Sequence, residues 1–420
     1  MENTKLKYEE NENYEFLKDV FLSKIKQMKG EIPEGFDNEI FLNSFIKIYN
    51  FLTKKYHNVK LSKNSIPDAN RFEQREEYTI SQFIFNRIVN NIEKVVVDKD
   101  LEEKATCGGR FCADKKSLEI FPKKIKEATK FEFEKYKTLN FASEEDFNKI
   151  VTEYFIIHEL IHAISFDEFS IGLRNNEESV SINEGFTDSL ALEISGFGEF
   201  FQYLPQRLED NYFMLPKNSI SSYTIETNIS DLIRIVSDKD LTIPYLVCGE
   251  RVKWANINNG FDETCYPLKK GQDVYGFFEK EIFEIANKKS TLSNKEKLTR
   301  LQNLQGCLIE DIVKNKYNKD FINKVIDNKV TKEQLEQYDK EINLIINKIV
   351  LTFPEKTAEQ IFEFGAQSLE IWDIEKLKVK IDNGEIDKSP NIDHLLELLE
   401  TRVELINEVN RQKENGTIQN

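Results

Sequence analysis

The chain has 420 residues, which is long enough for one large domain or two medium domains with a sizeable core. Apolar residues make up 40% and charged residues 31%, so a disordered or fibrous protein is excluded and a globular one is favoured. The formal net charge is −16, and the acidic and basic residues are interspersed without a Lys/Arg block. Such a block would be needed to follow a phosphate backbone, so we expect no nucleic-acid partner.

The sequence lacks the patterns that direct a chain into or across a membrane. No stretch approaches the ~18 consecutive apolar residues of a membrane-spanning helix. The first residues also lack the basic start and the apolar run of a secretory signal. We therefore expect no membrane span and a cytoplasmic location, and export by a signal-independent route stays open.

The five cysteines do not form the pattern of a disulfide framework, because their number is odd and their spacing is uneven. We therefore expect reduced thiols. Cys107 and Cys112 form the one close pair, and the weaker alternative is that they provide half of a structural zinc site.

The N-terminal part is predicted to be helical, because apolar residues recur at intervals of three and four. The predicted helices are residues 15–29, 39–54 and 81–99. A β-hairpin is predicted next, in the segment CGGRFCADKKSLEIF, where Asp114, Lys115 and Lys116 separate two apolar runs.

A long helix is predicted to begin after Ser143. This serine can cap the helix, and Glu144, Glu145 and Asp146 fall in the first turn, where the helix dipole favours negative charge. The apolar residues that follow, as far as Ile164, cover most of the helix circumference and indicate burial on nearly all sides. Polar side chains inside such a helix need a specific partner or function.

Later segments are also predicted to be helical from their apolar periodicity and their capping residues. They are residues 181–195, with a stop at Gly196, and residues 223–236, 294–314, 331–350, 358–371 and 392–410.

The predicted long helix contains the segment His158-Glu159-Leu160-Ile161-His162. Histidines at i and i+4 share one helical face, so both imidazoles can reach one metal ion at about 2.0–2.1 Å. Glu159 then lies beside the open coordination position, where a carboxylate can act as a base on water. The alternative is that two buried histidines only satisfy hydrogen bonds of the core.

A pair of carboxylates on the next predicted helix favours the metal site. Glu184 and Asp188 are four residues apart and therefore share a helical face. Two histidines and one carboxylate leave a fourth position open, as catalytic zinc sites do, so Glu184 is the predicted third ligand. Asp188, one turn later, is predicted to accept the other N–H of a ligand histidine and so to fix its tautomer.

At these positions the chain resembles the gluzincin class of zinc metallopeptidases, the thermolysin-like arrangement in which HExxH is followed on the next helix by N-E-x-x-[ST]-D. The matching residues are Asn183, Glu184, Thr187 and Asp188. The resemblance covers about residues 106–195. It implies a single zinc ion with Glu184 as a ligand, and a contact of Asp188 with His158.

The resemblance also implies a fold. It implies a zincin-like core that packs a small mixed sheet on the HExxH helix. Together with the predicted hairpin and the predicted helices, the expected fold is α+β and mostly helical, with extra helices at both ends. In such enzymes an edge strand binds the substrate backbone as an added strand, and residues 110–113 or 118–121 would serve here. The alternative is that the hairpin is an ordinary sheet edge.

Gluzincins supply a His or Tyr that stabilises the oxyanion opposite the zinc, and no motif identifies this residue here. Tyr223 is the first candidate, because an ordered phenol can donate to a developing oxyanion. The rivals are Tyr203, Tyr212 and Tyr245, and packing is the alternative for each. His57 and His394 lie at predicted helix ends and are expected to be surface or capping residues.

The predicted activity is hydrolysis of a peptide or protein substrate by zinc-activated water, with Glu159 as general base and Tyr223 as oxyanion donor. One alternative is an inactive or regulatory zincin-fold interaction protein, which the intact Glu159 disfavours. Another is a zinc hydrolase of a non-peptide amide or ester, which the hairpin disfavours. We predict a helical N-terminal segment (1–105), a catalytic domain (106–287) and a helical C-terminal domain (288–420).

Overall fold

Helices dominate the computed structural model of the chain. It describes residues 38–72, 74–97, 103–136, 143–168, 170–174, 176–197, 223–237, 241–248, 260–287, 290–327, 329–350 and 378–384, with isolated positions at 19, 396–397, 400, 403–404, 407 and 411. Small sheets of two and three strands accompany the helices, so the described part of the chain has an α+β fold. Among the described helices, none combines the length and the hydropathy that a membrane crossing requires.

The regular elements follow one another along the chain as follows. The helices are α1 (Asn38–Lys55), α2 (Ile80–Asn91), α3 (Pro122–Tyr136), α4 (Glu144–Ser165), α5 (Ser179–Ser195), α6 (Thr224–Val236), α7 (Thr242–Cys248), α8 (Val274–Ala286), α9 (Asn294–Asp311), α10 (Lys319–Ile326) and α11 (Lys332–Val350). The strands are β1 (Lys60–Ser62), β2 (Glu77–Thr79), β3 (Lys94–Val96), β4 (Gly109–Cys112) and β5 (Ser117–Ile120).

Most of the predicted elements within the described residues are confirmed. The predicted helices 39–54, 181–195, 223–236 and 331–350 correspond to α1, α5, α6 and α11, with ends that differ by at most two residues. The predicted helix 294–314 corresponds to α9, which continues as a π-helical turn at Ile312–Lys316. The hairpin corresponds to β4 and β5. Residues 15–29 and 358–371 lie outside the described residues, as does most of the predicted helix 392–410.

The prediction of one helix over residues 81–99 is wrong in its C-terminal part. The helix ends at Asn91, and Lys94–Val96 forms strand β3, which pairs with β5 in parallel. Val95 and Val96 are β-branched and prefer the extended backbone, and Val95 is completely buried in the sheet. A distant strand therefore overrides the local helical periodicity.

The chain divides into two compact units. The first contains the described strands β1–β5 and helices α1–α5 and α7, and the second contains α6 and α8–α11. The predicted division into residues 1–105, 106–287 and 288–420 stays a prediction.

Helix α4 is the centre of the first unit. Helices α1, α2, α3, α5 and α7 pack against it, and so do strands β4 and β5. Its apolar side chains are buried around most of the circumference, as the sequence predicts. Ser143 caps its N-terminus by accepting a hydrogen bond from the Asp146 N–H, at 3.1 Å.

The three-stranded sheet lies against α4 with β4 at its edge. The strand order is β3-β5-β4, with β3 parallel and β4 antiparallel to β5. Because β5 is bonded on both sides, residues 118–121 cannot accept an added strand, and that option is wrong. Residues 110–113 remain, since β4 has one unpaired edge within the described sheet.

The second unit is built from helices around α9. This helix packs against α6 and α8 and contains Gln305, whose side chain donates to the Asn228 side chain at 2.8 Å. Near its C-terminus the Tyr266 hydroxyl donates to Asp311 at 2.7 Å. These buried polar groups are thus satisfied within the unit.

A buried arginine ties the C-terminal end of α4 to the rest of the first unit. Arg87 is completely buried and forms an ion pair of 2.9 Å with the equally buried Asp68. Its guanidinium also donates to the carbonyl oxygens of Phe166 and Val247. Asn91 donates to the Phe166 carbonyl as well, at 2.7 Å. Backbone carbonyls that a helix end leaves without partners are therefore bonded by side chains.

We expect Arg87→Ala to lower the free energy of unfolding by about 3–5 kcal/mol, because it removes the buried partner of Asp68 and leaves that buried carboxylate with Arg71 alone, at 3.2 Å. Urea denaturation followed by circular dichroism measures this change. The control is Arg75→Ala at an exposed arginine of the same unit, which should change stability by about 0.5 kcal/mol or less. A similarly small loss for Arg87→Ala would contradict this role.

Candidate metal centre

Three side chains converge between helices α4 and α5. The Nε2 atoms of His158 and His162 lie 3.2 Å apart, and the Glu184 Oε2 atom lies 3.4 Å from the first and 3.3 Å from the second. All three residues are buried, with 6%, 7% and 9% of their surfaces exposed. Among the described residues this is the one group of three or more metal-ligating side chains with converging donor atoms.

The spacing of the donor atoms fits a tetrahedral ion. Ligands at about 2.0–2.2 Å from a tetrahedral zinc ion are separated from one another by roughly 3.3–3.6 Å. The observed separations of 3.2–3.4 Å agree with that value. Two imidazoles and one carboxylate are also the donor set of catalytic zinc sites with one open position.

Asp188 lies where the sequence predicts it, behind His158. Its Oδ1 atom is 3.3 Å from the His158 Nδ1 atom, and the Tyr154 hydroxyl donates to the same carboxylate. Asp188 is completely buried. A carboxylate bonded to Nδ1 fixes the tautomer and turns the Nε2 lone pair of His158 toward Glu184.

His162 has a support that the sequence analysis missed. The Thr187 hydroxyl lies 3.5 Å from the His162 Nδ1 atom and is hydrogen-bonded to the Tyr245 hydroxyl at 2.5 Å. Thr187 belongs to the N-E-x-x-[ST]-D pattern, so its position was available from the sequence. Tyr245 comes from α7, and no local signal connects it to the site.

The charges of the site favour a cation between the two histidines. Burial alone lowers the pKa of His158, but the hydrogen bonds with Asp188 and Glu184 raise it to about 10. Burial alone raises the pKa of Glu184, and His162 and His158 reverse this and hold it well below its usual range. Positive charge on the His158 imidazole is thus stabilised by both carboxylates.

Glu159 is separate from the three converging side chains. Burial raises the pKa of its carboxyl group, while His158 and His162 act in the opposite direction. A Cβ atom at Gly109 would lie 3.1 Å from the Glu159 Cγ atom, and a backbone hydrogen bond links the carboxylate to Phe111. The edge strand β4 therefore lies directly against Glu159.

A cleft of about 190 Å³ opens onto these residues. Its lining includes His158, Glu159, His162 and Glu184 from the helices and Gly109–Phe111 from strand β4. The ligand candidates, the candidate base and the edge strand therefore line one cleft.

Tyr223, the first candidate for oxyanion donor, also lines the cleft. Its ring is stacked on the His158 ring at a centroid distance of 5.9 Å and an interplanar angle of 7°. Tyr245 is completely buried and bonded to Thr187, and burial raises its pKa above the usual range. Tyr203 and Tyr212 lie outside the described residues.

The remaining predicted residues are distributed as follows. His57 is exposed, and its Nδ1 atom lies 3.1 Å from the Lys54 carbonyl at the end of α1, as expected for a surface or capping residue. His394 lies outside the described residues. Cys107 and Cys112 are free thiols and belong to no group of metal ligands among the described residues.

Comparison of the chain with protein-family models, with curated proteins and with solved structures finds no match. The site is therefore interpreted from its own geometry and chemistry.

Alanine variants of His158, His162 and Glu184 should each lose metal affinity, because each removes one of the three converging donor atoms. Zinc content after dialysis in a zinc-buffered solution, measured by plasma mass spectrometry, gives the result. The matched control is Glu159→Gln, which should retain about one zinc ion per chain, since Glu159 is not one of the donors. Equal zinc contents in all four variants would contradict this ligand set.

Proposed function

We propose that the protein is a zinc-dependent metallopeptidase with a zincin-like core. The observation that supports this most strongly is the convergence of His158, His162 and Glu184 beside a separate, cleft-lining Glu159. A structural zinc site would have four protein ligands and no adjacent base, whereas a hydrolase needs both an open position and a base. The mixed sheet that packs on α4 further supports the core that we propose.

His158, His162 and Glu184 would hold the ion. Zinc bound there would supply Lewis acidity, which would make water a nucleophile near neutral pH and polarise the scissile carbonyl. Asp188 and Thr187 keep the two imidazoles oriented through their Nδ1 atoms.

Glu159 moves the proton in the proposed reaction. Its carboxylate accepts a proton from the attacking water as the new C–O bond forms at the scissile carbon. It then transfers that proton to the amide nitrogen as the C–N bond breaks, and the products are a carboxylic acid and an amine. The position of Glu159 between the ligand histidines and strand β4 suits both transfers.

Strand β4 provides the proposed binding site for the substrate backbone. The Phe121 N–H donates to the Gly108 carbonyl, so the backbone polar groups of Gly108 point toward β5. In an antiparallel pair this direction alternates along the strand, so the backbone N–H and carbonyl groups of Gly109 and Phe111 point away from β5. Because the Phe111 N–H is bonded to Glu159, an extended peptide can add to this edge through the Gly109 N–H and carbonyl and the Phe111 carbonyl, and so bring a carbonyl group near Glu159. An edge that binds backbone favours a peptide over other amides and esters.

The decisive experiment is incubation of the zinc-loaded protein with a diverse peptide mixture, read by mass spectrometry. Cleavage is expected for the unchanged protein and should be abolished in Glu159→Gln, which keeps the ligands but loses the base. The Glu159→Gln protein must retain zinc and a native circular dichroism spectrum for the comparison to hold.

Two results would contradict the peptidase. Full cleavage by the zinc-bound Glu159→Gln protein would remove Glu159 from the reaction. Absence of cleavage by the folded, zinc-bound protein would favour an interaction protein, or a hydrolase of non-peptide amides or esters.

Tyr223→Phe should lower kcat by about a hundredfold and leave KM and zinc content nearly unchanged, because the phenol donates only to the developing oxyanion. Steady-state kinetics on a peptide identified in the mixture measures both constants. The control is Tyr56→Phe. Tyr56 is buried directly after α1 and does not line the cleft, so this variant should leave kcat unchanged. A kcat of Tyr223→Phe within about threefold of the parent value would exclude this role.

A further inference from the structure

An arginine between α4 and α5 lies in the wall of the same cleft. Arg174 is exposed and lines the cleft together with Glu159 and His162. Across the residues that the structure describes, none forms an ion pair or a side-chain hydrogen bond with the Arg174 guanidinium. Arg110, also in the cleft lining, is held by Glu119 at 2.5 Å. Arg174 is therefore a positive charge that no described acidic residue neutralises.

Backbone hydrogen bonds fix the turn that carries Arg174. The bonds run from Gly172 N–H to the Ser165 carbonyl at 3.2 Å, from Leu173 N–H to Asn183 Oδ1 at 2.9 Å and from Arg174 N–H to the Ile171 carbonyl at 2.9 Å. The backbone at Arg174 is thus anchored both to the end of α4 and to α5.

The turn also packs tightly against α5. Gly172 has a φ of +54°, and a Cβ atom there would lie 2.5 Å from Asn183 Oδ1 and 2.6 Å from Tyr245 Cε2. Only glycine fits this backbone without strain. Since Asn183 directly precedes Glu184, the position of the Arg174 backbone is set relative to a proposed metal ligand.

A second unmatched donor lies beside the turn. Asn183 lines the cleft and is completely buried, and its Oδ1 atom accepts the Leu173 N–H. Its Nδ2 atom has no hydrogen-bond acceptor in the part of the chain that the structure describes. A buried donor without an acceptor costs free energy, so the protein interior behind this wall lacks one hydrogen-bond acceptor.

We propose that Arg174 binds a carboxylate of the substrate and thereby selects peptides that carry one near the scissile bond. The planar guanidinium can donate two parallel hydrogen bonds to a carboxylate, which gives orientation as well as attraction. The carboxylate is either the C-terminal group of a peptide or an Asp or Glu side chain. This inference rests on the proposed function, in which the cleft binds peptides.

Binding to the zinc-loaded Glu159→Gln protein tests the inference without turnover. The probes are two matched pairs of pools of acetylated tetrapeptides. In the first pair the peptides end in a C-terminal acid or in a C-terminal amide. In the second pair all peptides are amidated and contain either Glu or Gln at an internal position. Affinity-selection mass spectrometry measures the retention of each pool.

We expect the Glu159→Gln protein, the parent in this experiment, to retain the carboxylate-bearing pool of at least one pair about tenfold better than its uncharged counterpart. The additional change Arg174→Gln should abolish that preference. Arg174→Lys should keep part of it, because lysine retains the charge but not the two-pronged geometry. Arg75→Gln, at an exposed arginine outside the cleft, should retain all of it. The pair that responds identifies the source of the carboxylate.

The inference is overturned if the parent shows no acid preference, or if Arg174→Gln preserves it. The outcome is separate from that of the peptidase assay. An Arg174-dependent preference without any cleavage by the unchanged protein would refute the peptidase and keep the carboxylate site. Cleavage by the unchanged protein, together with an acid preference that does not depend on Arg174, would support the peptidase and refute the carboxylate site.

Discussion

Helix α4 holds two histidines and a glutamate in a segment that is buried on nearly every side. Burying such groups costs free energy unless each polar atom has a partner, and this requirement accounts for much of the arrangement around the helix. Asp188, which accepts a hydrogen bond from Tyr154, satisfies His158 from behind, while Thr187 lies behind His162. The Nε2 atoms are left to face one another and Glu184.

Close backbone approach is the second condition for the site. Strand β4 can lie against α4 because Gly108, the residue before the strand, has no side chain. A Cβ atom at Gly108 would lie only 2.7 Å from the Phe155 ring. The turn after α4 can lie against α5 because Gly172 has no side chain. Two glycine positions thus allow a strand edge to approach α4 and a turn to approach α5. A bulkier residue at either position would move one wall of the cleft relative to the ligand candidates.

The sequence predicted the elements whose determinants are local. Ser143 and the acidic first turn of α4, and Gly196 in the left-handed conformation after α5, mark helix ends that the structure confirms. The i, i+4 spacing also predicted which side chains would share a face. With the packing of α4 on α5, this spacing brings His158, His162 and Glu184 together.

Features that depend on distant partners were not predictable in the same way. The sequence predicts the end of a helix where strand β3 forms, because a short stretch of sequence does not reveal the pairing of β3 with β5. Tyr245 reaches the site from α7, and the Arg87 and Asp68 ion pair joins segments whose proximity no periodicity reveals. The conformation of the turn at Gly172 could not be predicted either, because it depends on the close approach of Asn183 and Tyr245. Periodicity predicts which face a residue occupies, whereas the identity of the residue opposite depends on tertiary packing.

Two glutamates in one buried site differ in a way that bears on the proposed chemistry. Glu184 contacts both imidazoles, which hold its pKa below the usual range, so it remains an anion suited to a cation. Glu159 lies on the neighbouring face of α4, and burial raises its pKa instead. Pairs of carboxyl groups whose environments separate their pKa values are how enzymes assign different roles to one residue type. The one-residue step from His158 to Glu159 is sufficient here, because it turns the second carboxylate away from the ligand cluster and toward strand β4, the proposed site of the substrate backbone.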